Sequence, residues 1–342
     1  MYFTAQTLDD LLSPVLQRLL RTRQRVLTSR GPTTEMTGVL LRLRNPRARL
    51  SHTESKGHVF SPLGELLWYL SGSNKLDFIA YYIRKYVDES EDKKTVYGAY
   101  GPRFFAKNGQ DQIANVIELL KNGSTTRRAV IQLFDAEDIK QRKVEVPCTC
   151  TLQFLLRRRK LYMVTNMRSN DAFMGLPHDV FAFTMLQEII ARTINADVGD
   201  YKHAVGSLHL YDRDIAKAKR LLSEGWQTTR KPMPPMPPGD PWASIKLLLR
   251  AEGAIRIGRE PPRATGALSS YWADLVRLLA IFRNAKNRRF TEITRIKRKM
   301  VSPVYNAYIQ RREQEKPAKP NREQQLSIPF LTEGDKNVDR GD

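Results

Sequence analysis

The sequence predicts a mixed α/β fold over residues 1–240, followed by a basic, mainly helical extension over 241–315. Three observations predict it. Helix-like and strand-like patterns interleave up to the run KPMPPMPPGDPW at residues 231–242, only helix-like patterns follow it, and residues 241–342 carry about half of the net charge of +21. The prolines of that run lack N–H donors and favour extended backbone, so it reads as a rigid crossing or a linker.

The elements follow in order. Ser61-Pro62 reads as an N-cap with proline at the first helical position. Leu63, Leu66, Leu67 and Leu70 then recur at helical spacing. Residues 146–156 are apolar-rich and read as a strand, 157–160 as a charged turn and 161–164 as the returning strand. Residues 180–194 are apolar on nearly every side, which predicts a helix buried in the core. Beyond the proline run, 268–282 is helix-like and 283–299 is strongly basic. Residues 316–342 are polar and proline-interrupted, with one short apolar patch at 328–331, and read as partly disordered.

Composition narrows the function classes. The 342 residues, 41% of them hydrophobic, suffice for one large domain or two ordinary ones. No stretch approaches the ~18 uninterrupted apolar residues of a membrane helix. Asp9 and Asp10 stand where a secretory signal would carry basic residues. These readings predict a cytoplasmic protein with no membrane segment. Cys148 and Cys150 lie too close along one strand for an easy disulfide, and two Cys with five scattered His show no zinc spacing, so no metal is expected. A surface this basic attracts phosphates, whether of a polymer or of a nucleotide.

Several residues are candidates for chemistry, each against a plainer reading. Glu65 lies opposite the leucine stripe, where a solvated carboxylate is the ordinary case. Trp68 and Tyr69 make that side apolar too, which would raise its pKa and suit a proton shuttle. Cys148 follows Pro147, and buried cysteines are usually small hydrophobes. Arg127, Arg128 and Arg168, about twenty residues away on either side, would favour its thiolate or hold a phosphate. Asp179 reads equally well as a helix-start carboxylate. His209 and Tyr211 alternate on a strand and so face one way, to bind a sugar or to satisfy a core hydrogen bond.

Taken together, these residues resemble the thymidylate synthase family. The family's nucleophile motif appears as Pro147-Cys148 leading to Gln153-Phe154. Its Arg-Ser-x-Asp and Gly-Leu-Pro motifs appear as Arg168-Ser169-Asn170-Asp171 and Gly175-Leu176-Pro177. His209-Leu210-Tyr211, Arg127-Arg128, Glu65-Leu66-Leu67-Trp68 and Val96-Tyr97-Gly98 match its other motifs, in order and at compatible spacing. The resemblance implies a large mixed sheet with helices on one face and a homodimer packed through the other face. It implies attack by Cys148 on C6 of a pyrimidine nucleoside monophosphate and transfer of one carbon to C5 from 5,10-methylenetetrahydrofolate. It assigns proton shuttling to Glu65, the 5′-phosphate to Arg30, Arg128, Arg168 and Ser169, and the sugar to His209 and Tyr211. Arg127 and Arg128 would reach across from the second subunit. Asp171, Tyr97 and Trp68 would serve the folate or its water network.

The departures from the family pattern sharpen the expectation. Asp179 stands where the synthases carry Asn, whose amide matches uracil's N3–H and O4. A carboxyl there can accept from a cytosine amino group and, when protonated, donate to N3. Thr149 replaces the synthases' His, and residues 85–89 lack their Trp. The synthases close their site with a C-terminal carboxylate, whereas here a long basic extension follows the core. The pattern resembles the cytidylate 5-hydroxymethylase branch, acting on dCMP in preference to CMP. The alternatives are methylation of dUMP and, in another class, nucleic-acid binding through the basic C-terminal region on an idle core.

Overall fold

The computed structural model describes residues 1–54, 58–123, 125–140, 143–224 and 231–314. The disordered tail expected at 316–342 lies outside the described residues.

The chain opens with β1 (Tyr2–Ala5), α1 (Leu8–Arg21), β2 (Arg25–Thr28) and β3 (Gly31–Leu43). Helices α2 (Phe60–Leu70), α3 (Leu76–Tyr82), α4 (Tyr100–Phe105) and α5 (Gln112–Asn122) follow. Then come β4 (Val130–Gln132), β5 (Thr149–Arg157), β6 (Lys160–Asp171), α6 (Gly175–Thr193), β7 (Asp197–Tyr211) and α7 (Ile215–Ser223). The strands form one seven-stranded sheet in the order β1-β3-β7-β6-β5-β4, with β2 paired to β3. It is mixed: β1/β3 and β6/β7 are parallel, and the other pairs are antiparallel.

Period-two alternation separates the sheet's faces. Leu41, Leu43, Phe154, Met163 and Tyr201 are buried on one face, where α1 and α6 pack. Leu40, Arg42, Leu155, Val164 and Lys202 on the other face are half-exposed or exposed. Helices on one face of a mixed sheet are the arrangement the family resemblance implies.

Local chemistry moves several boundaries. Helix α2 starts at Phe60, with Val59 at its N-cap and no side-chain cap, so Ser61 does not cap it; burial of Phe60 and of Pro62–Leu70 holds the helix instead. Strand β5 starts at Thr149, because residues 146–148 bend away to form a loop that the Arg168 side chain clasps. Arg158 and Arg159 make the turn to β6 with positive φ. Helix α6 begins at Gly175, so Asp179 lies in its second turn; Asp171 takes the backbone N–H groups of Phe173 and Met174 ahead of it. Asp179 therefore does not cap the helix.

The proline run crosses the core. Met233 donates its backbone N–H to Arg47 O, and Met233 and Met236 are buried. Beyond it lie α8 (Trp242–Arg256), α9 (Ser270–Lys286), α10 (Phe290–Lys297) and α11 (Asn306–Gln314). These helices share the core with the residues before 240. Phe282 stacks on Phe60 and Tyr82 at 5.9 and 5.2 Å, Tyr82 donates to Glu252, and Tyr308 donates to Ser51 O. Much of the basic run is paired internally: Lys286 donates to Tyr81 O, Arg295 pairs with Glu292 and Lys297 with Glu313. No described helix is long and apolar enough to cross a membrane.

Candidate active site

A cavity of about 530 Å³ opens where the ends of β6 and β7 meet α2, the start of α6 and the loop before β5. Glu65 and Trp68 reach it from α2, and Cys148 from the loop. Arg168, Ser169 and Asp171 come from β6, Asp179 from α6, His209 and Tyr211 from β7, and Arg30 from the β2–β3 turn. The cavity gathers these side chains because the parallel β6/β7 pair ends its strands at one edge, where the functional residues of such sheets collect.

Cys148 is half-buried and its thiol is unpaired covalently. Burial, then the nearby Glu145 carboxylate, push it up to about 12 against the opposing pull of Arg168 and Arg30. Its Sγ lies 3.9 Å from Glu145 Oε1 and 3.8 Å from Arg168 Nη2. The arginines expected to favour a thiolate do lower the value, but they do not outweigh burial and Glu145. Arg168 is spent on Pro147 O and Val146 O, at 2.9 and 3.0 Å. Arg30 is spent on Glu145 and Glu89.

Glu65 also departs from expectation. Burial pushes its carboxyl up, but the His178 hydrogen bond and charge, with the hydroxyls of Tyr86 and Tyr69, outweigh it and hold the group below the usual range. His178 Nδ1 lies 2.9 Å from Oε2, and Tyr86 donates to Oε1 at 2.6 Å. Apolar residues around a helix did not reveal these partners. Asp179 goes the other way: burial, then the Glu65 charge, raise its pKa well above the usual carboxylate range. Its one described hydrogen bond is from Asn170 Nδ2 to Oδ2, at 2.7 Å.

His209 and Tyr211 do face one way, their rings 5.0 Å apart. Burial lowers the His209 pKa, which keeps the ring neutral. Thr149, at the position of the synthases' His, is buried and accepts from the Tyr100 hydroxyl at 2.9 Å. Two buried polar atoms on cavity residues, Trp68 Nε1 and Asp171 Oδ2, have no hydrogen-bond partner among the described residues.

Three candidates lie elsewhere. Tyr97 is exposed outside the cavity, with Arg103 and Lys143 over its ring, although its neighbours Val96 and Gly98 line the site. Arg127 and Arg128 are exposed and do not line it. Conversely, sequence reading missed His178, Glu145 and the roles of Asn170 and Tyr86. Glu145 and His178 sit within three residues of named candidates, a signal that was available. Tyr86 lies in the segment inspected for its missing Trp, and it packs edge-on against Trp68 at 5.3 Å.

The thymidylate synthase family model matches residues 6–237. Thymidylate synthase from T4 phage has a similar fold: TM-score 0.55 at 22% identity, covering 63% of this chain and 81% of that one. The chain belongs to the thymidylate synthase family, and so to the folate-dependent one-carbon transferases. The helices from Trp242 onward fall outside the matched region.

Proposed function

We propose that the protein is a pyrimidine nucleotide 5-hydroxymethyltransferase that converts dCMP, in preference to CMP, to its 5-hydroxymethyl derivative. One observation carries this reading: a carboxyl, Asp179, in the cavity wall, whose surroundings favour its protonated form. A neutral carboxyl offers one donor and one acceptor, which suit cytosine N3 and its amino group when the acidic hydrogen faces N3. A lost buried hydrogen bond costs roughly 1–3 kcal/mol, so the preference over uracil reaches about a hundredfold.

The other residues take parts around that contact. Cys148 Sγ bonds to C6 and makes C5 nucleophilic; its proton leaves toward Glu145, the acceptor nearest to it. Arg30, Arg168 and Ser169 hold the 5′-phosphate. His209 and Tyr211 hold the sugar. Glu65, held ionised, accepts a proton and passes it on through His178, to which it is bonded. Methylenetetrahydrofolate supplies the one-carbon unit. The unpartnered Trp68 N–H and Asp171 oxygen offer a donor and an acceptor to its heterocycle, and these residues fit it. Water then captures the methylene on C5, leaving a hydroxymethyl group, and Cys148 departs. The half-exposed sheet face packs on a second copy, from which Arg127 and Arg128 reach the phosphate.

The test is release of tritium from 5-labelled dCMP, CMP and dUMP with tetrahydrofolate and formaldehyde, with mass detection of product. The reading expects fastest release from dCMP, a hydroxymethyl product and no dihydrofolate. Faster release from dUMP, with dihydrofolate formed, makes the protein a methylating synthase instead.

A further inference from the structure

A buried series of hydrogen bonds ends on Asp179. Tyr201 and His203 lie on β7 and are buried; Asn170 lies further along the neighbouring β6, opposite Leu208. The Tyr201 hydroxyl is 2.7 Å from His203 Nδ1, and His203 Nε2 is 2.9 Å from Asn170 Oδ1. Asn170 Nδ2 is 2.7 Å from Asp179 Oδ2. Tyr201, His203 and Asn170 are 1%, 0% and 4% exposed, so no solvent proton rearranges the series freely.

The donors can be counted along it. Burial drives the His203 pKa down to about 3, so the ring is neutral and carries a single N–H. Asn170 presents Oδ1, an acceptor, to Nε2 and its amide nitrogen to Asp179, so the single hydrogen sits on Nε2 and Nδ1 is left to accept from the Tyr201 hydroxyl. The approach is close because residue 175 has no side chain: a Cβ on Gly175 would come within 3.0 Å of Asn170 Nδ2 and 3.6 Å of Asp179 Oδ2. With Asn170 as a donor, Oδ2 is an acceptor, and because a carbonyl-type oxygen accepts better than a hydroxyl, the proton of a neutral Asp179 is favoured on Oδ1.

We propose that Tyr201, His203 and Asn170 form a positioning relay that fixes the proton of Asp179 on Oδ1, so that this carboxyl meets the pyrimidine edge with one permanent donor and one permanent acceptor. A carboxylic acid free to swap its proton is an ambivalent reader. In one form it matches cytosine's N3 and amino group; in the other it matches uracil's N3–H and O4. The relay removes that ambivalence, and discrimination by mismatch depends on it. The inference rests on the proposed contact between Asp179 and the base, but not on which base wins.

The test is kcat/KM for dCMP and dUMP in the full chain, as wild type, Tyr201→Phe and Asn170→Ala. Tyr201→Phe leaves the His203 hydrogen free to move to Nδ1, and the ratio of the two constants should fall toward one by about tenfold, the discrimination of roughly one hydrogen bond. Asn170→Ala should lower it further, with turnover of the disfavoured nucleotide maintained or raised. An equal fall in both constants would mean a purely structural role and overturn the proposal. If the wild type favours dUMP, the hydroxymethylase reading fails, yet the collapse of the ratio still decides the relay. A second readout needs no turnover: nitrogen NMR of the ¹⁵N-histidine-labelled protein should show His203 neutral with its hydrogen on Nε2, and hydrogen on Nδ1 would overturn the assignment.

Discussion

Glu65 on α2 and Asp179 on α6 belong to one cavity, yet their surroundings shift their pKa values in opposite directions. Both lose hydration. Glu65 regains it from His178, Tyr86 and Tyr69, and its pKa ends low. Asp179 has one amide donor and the Glu65 charge beside it, and its pKa ends high. Burial alone therefore does not decide ionisation here; the partner does. One carboxyl is left as a base and the other as an acid, the division of labour by which a site handles protons near neutral pH.

The comparison can be broken at either end. The largest effect is expected from Glu65→Gln, which keeps the shape but cannot take a proton. Tritium release should fall by about 10²–10⁴-fold, while nucleotide binding, followed by calorimetry, changes little. Asp179→Asn attacks the other carboxyl. The dCMP-to-dUMP ratio of kcat/KM should invert, by up to about a hundredfold; an unchanged ratio would remove Asp179 from base reading.

Stability should separate the two carboxyls by sign. The folded pKa of Asp179 is raised, so the unfolded chain releases this proton first, and stability falls as pH rises above the ordinary carboxylate pKa near 4. Asp179→Asn should therefore raise the melting temperature, more at pH 8 than at pH 5. For Glu65 the folded pKa is lowered. Its contribution is present above its unfolded pKa near 4.5 and is lost as pH falls through the folded value. Glu65→Gln should cost stability at pH 7 and much less at pH 3, by thermal melts across that range. The smallest effect belongs to Tyr86→Phe, which removes one of Glu65's supports. A loss of about 1 kcal/mol, several-fold in kcat, is expected, with the acid limb of the pH–rate profile moved upward.

The site was legible in the sequence where function demands a residue type at a short, fixed spacing. Cys148 after Pro147, Arg168 through Asp171, and His209 with Tyr211 could be read in this way, and the cavity gathers all of them. Tyr97 misled because its motif neighbours Val96 and Gly98 do line the cavity, while its own side chain turns outward to Arg103 and Lys143. The charge states were not legible. His178 is 113 residues from Glu65, and a local window sees only the apolar neighbours that would raise a pKa. The thiol of Cys148 was misjudged for the same reason: its arginines are near, but they are engaged by Glu145, Glu89 and backbone carbonyls.

By itself the sequence determined the mixing of helix and strand, the paired strands now seen as β5 and β6, and the residue types at the site, because these follow from local periodicity and from motifs a few residues long. Tertiary structure alone decided that the helices beyond the proline run share the catalytic region's core through Phe282, Tyr82 and Glu252. It also decided which carboxyl holds its proton. Ionisation depends on the donors and charges that reach a group through space, and those partners come from strands and helices remote in the chain.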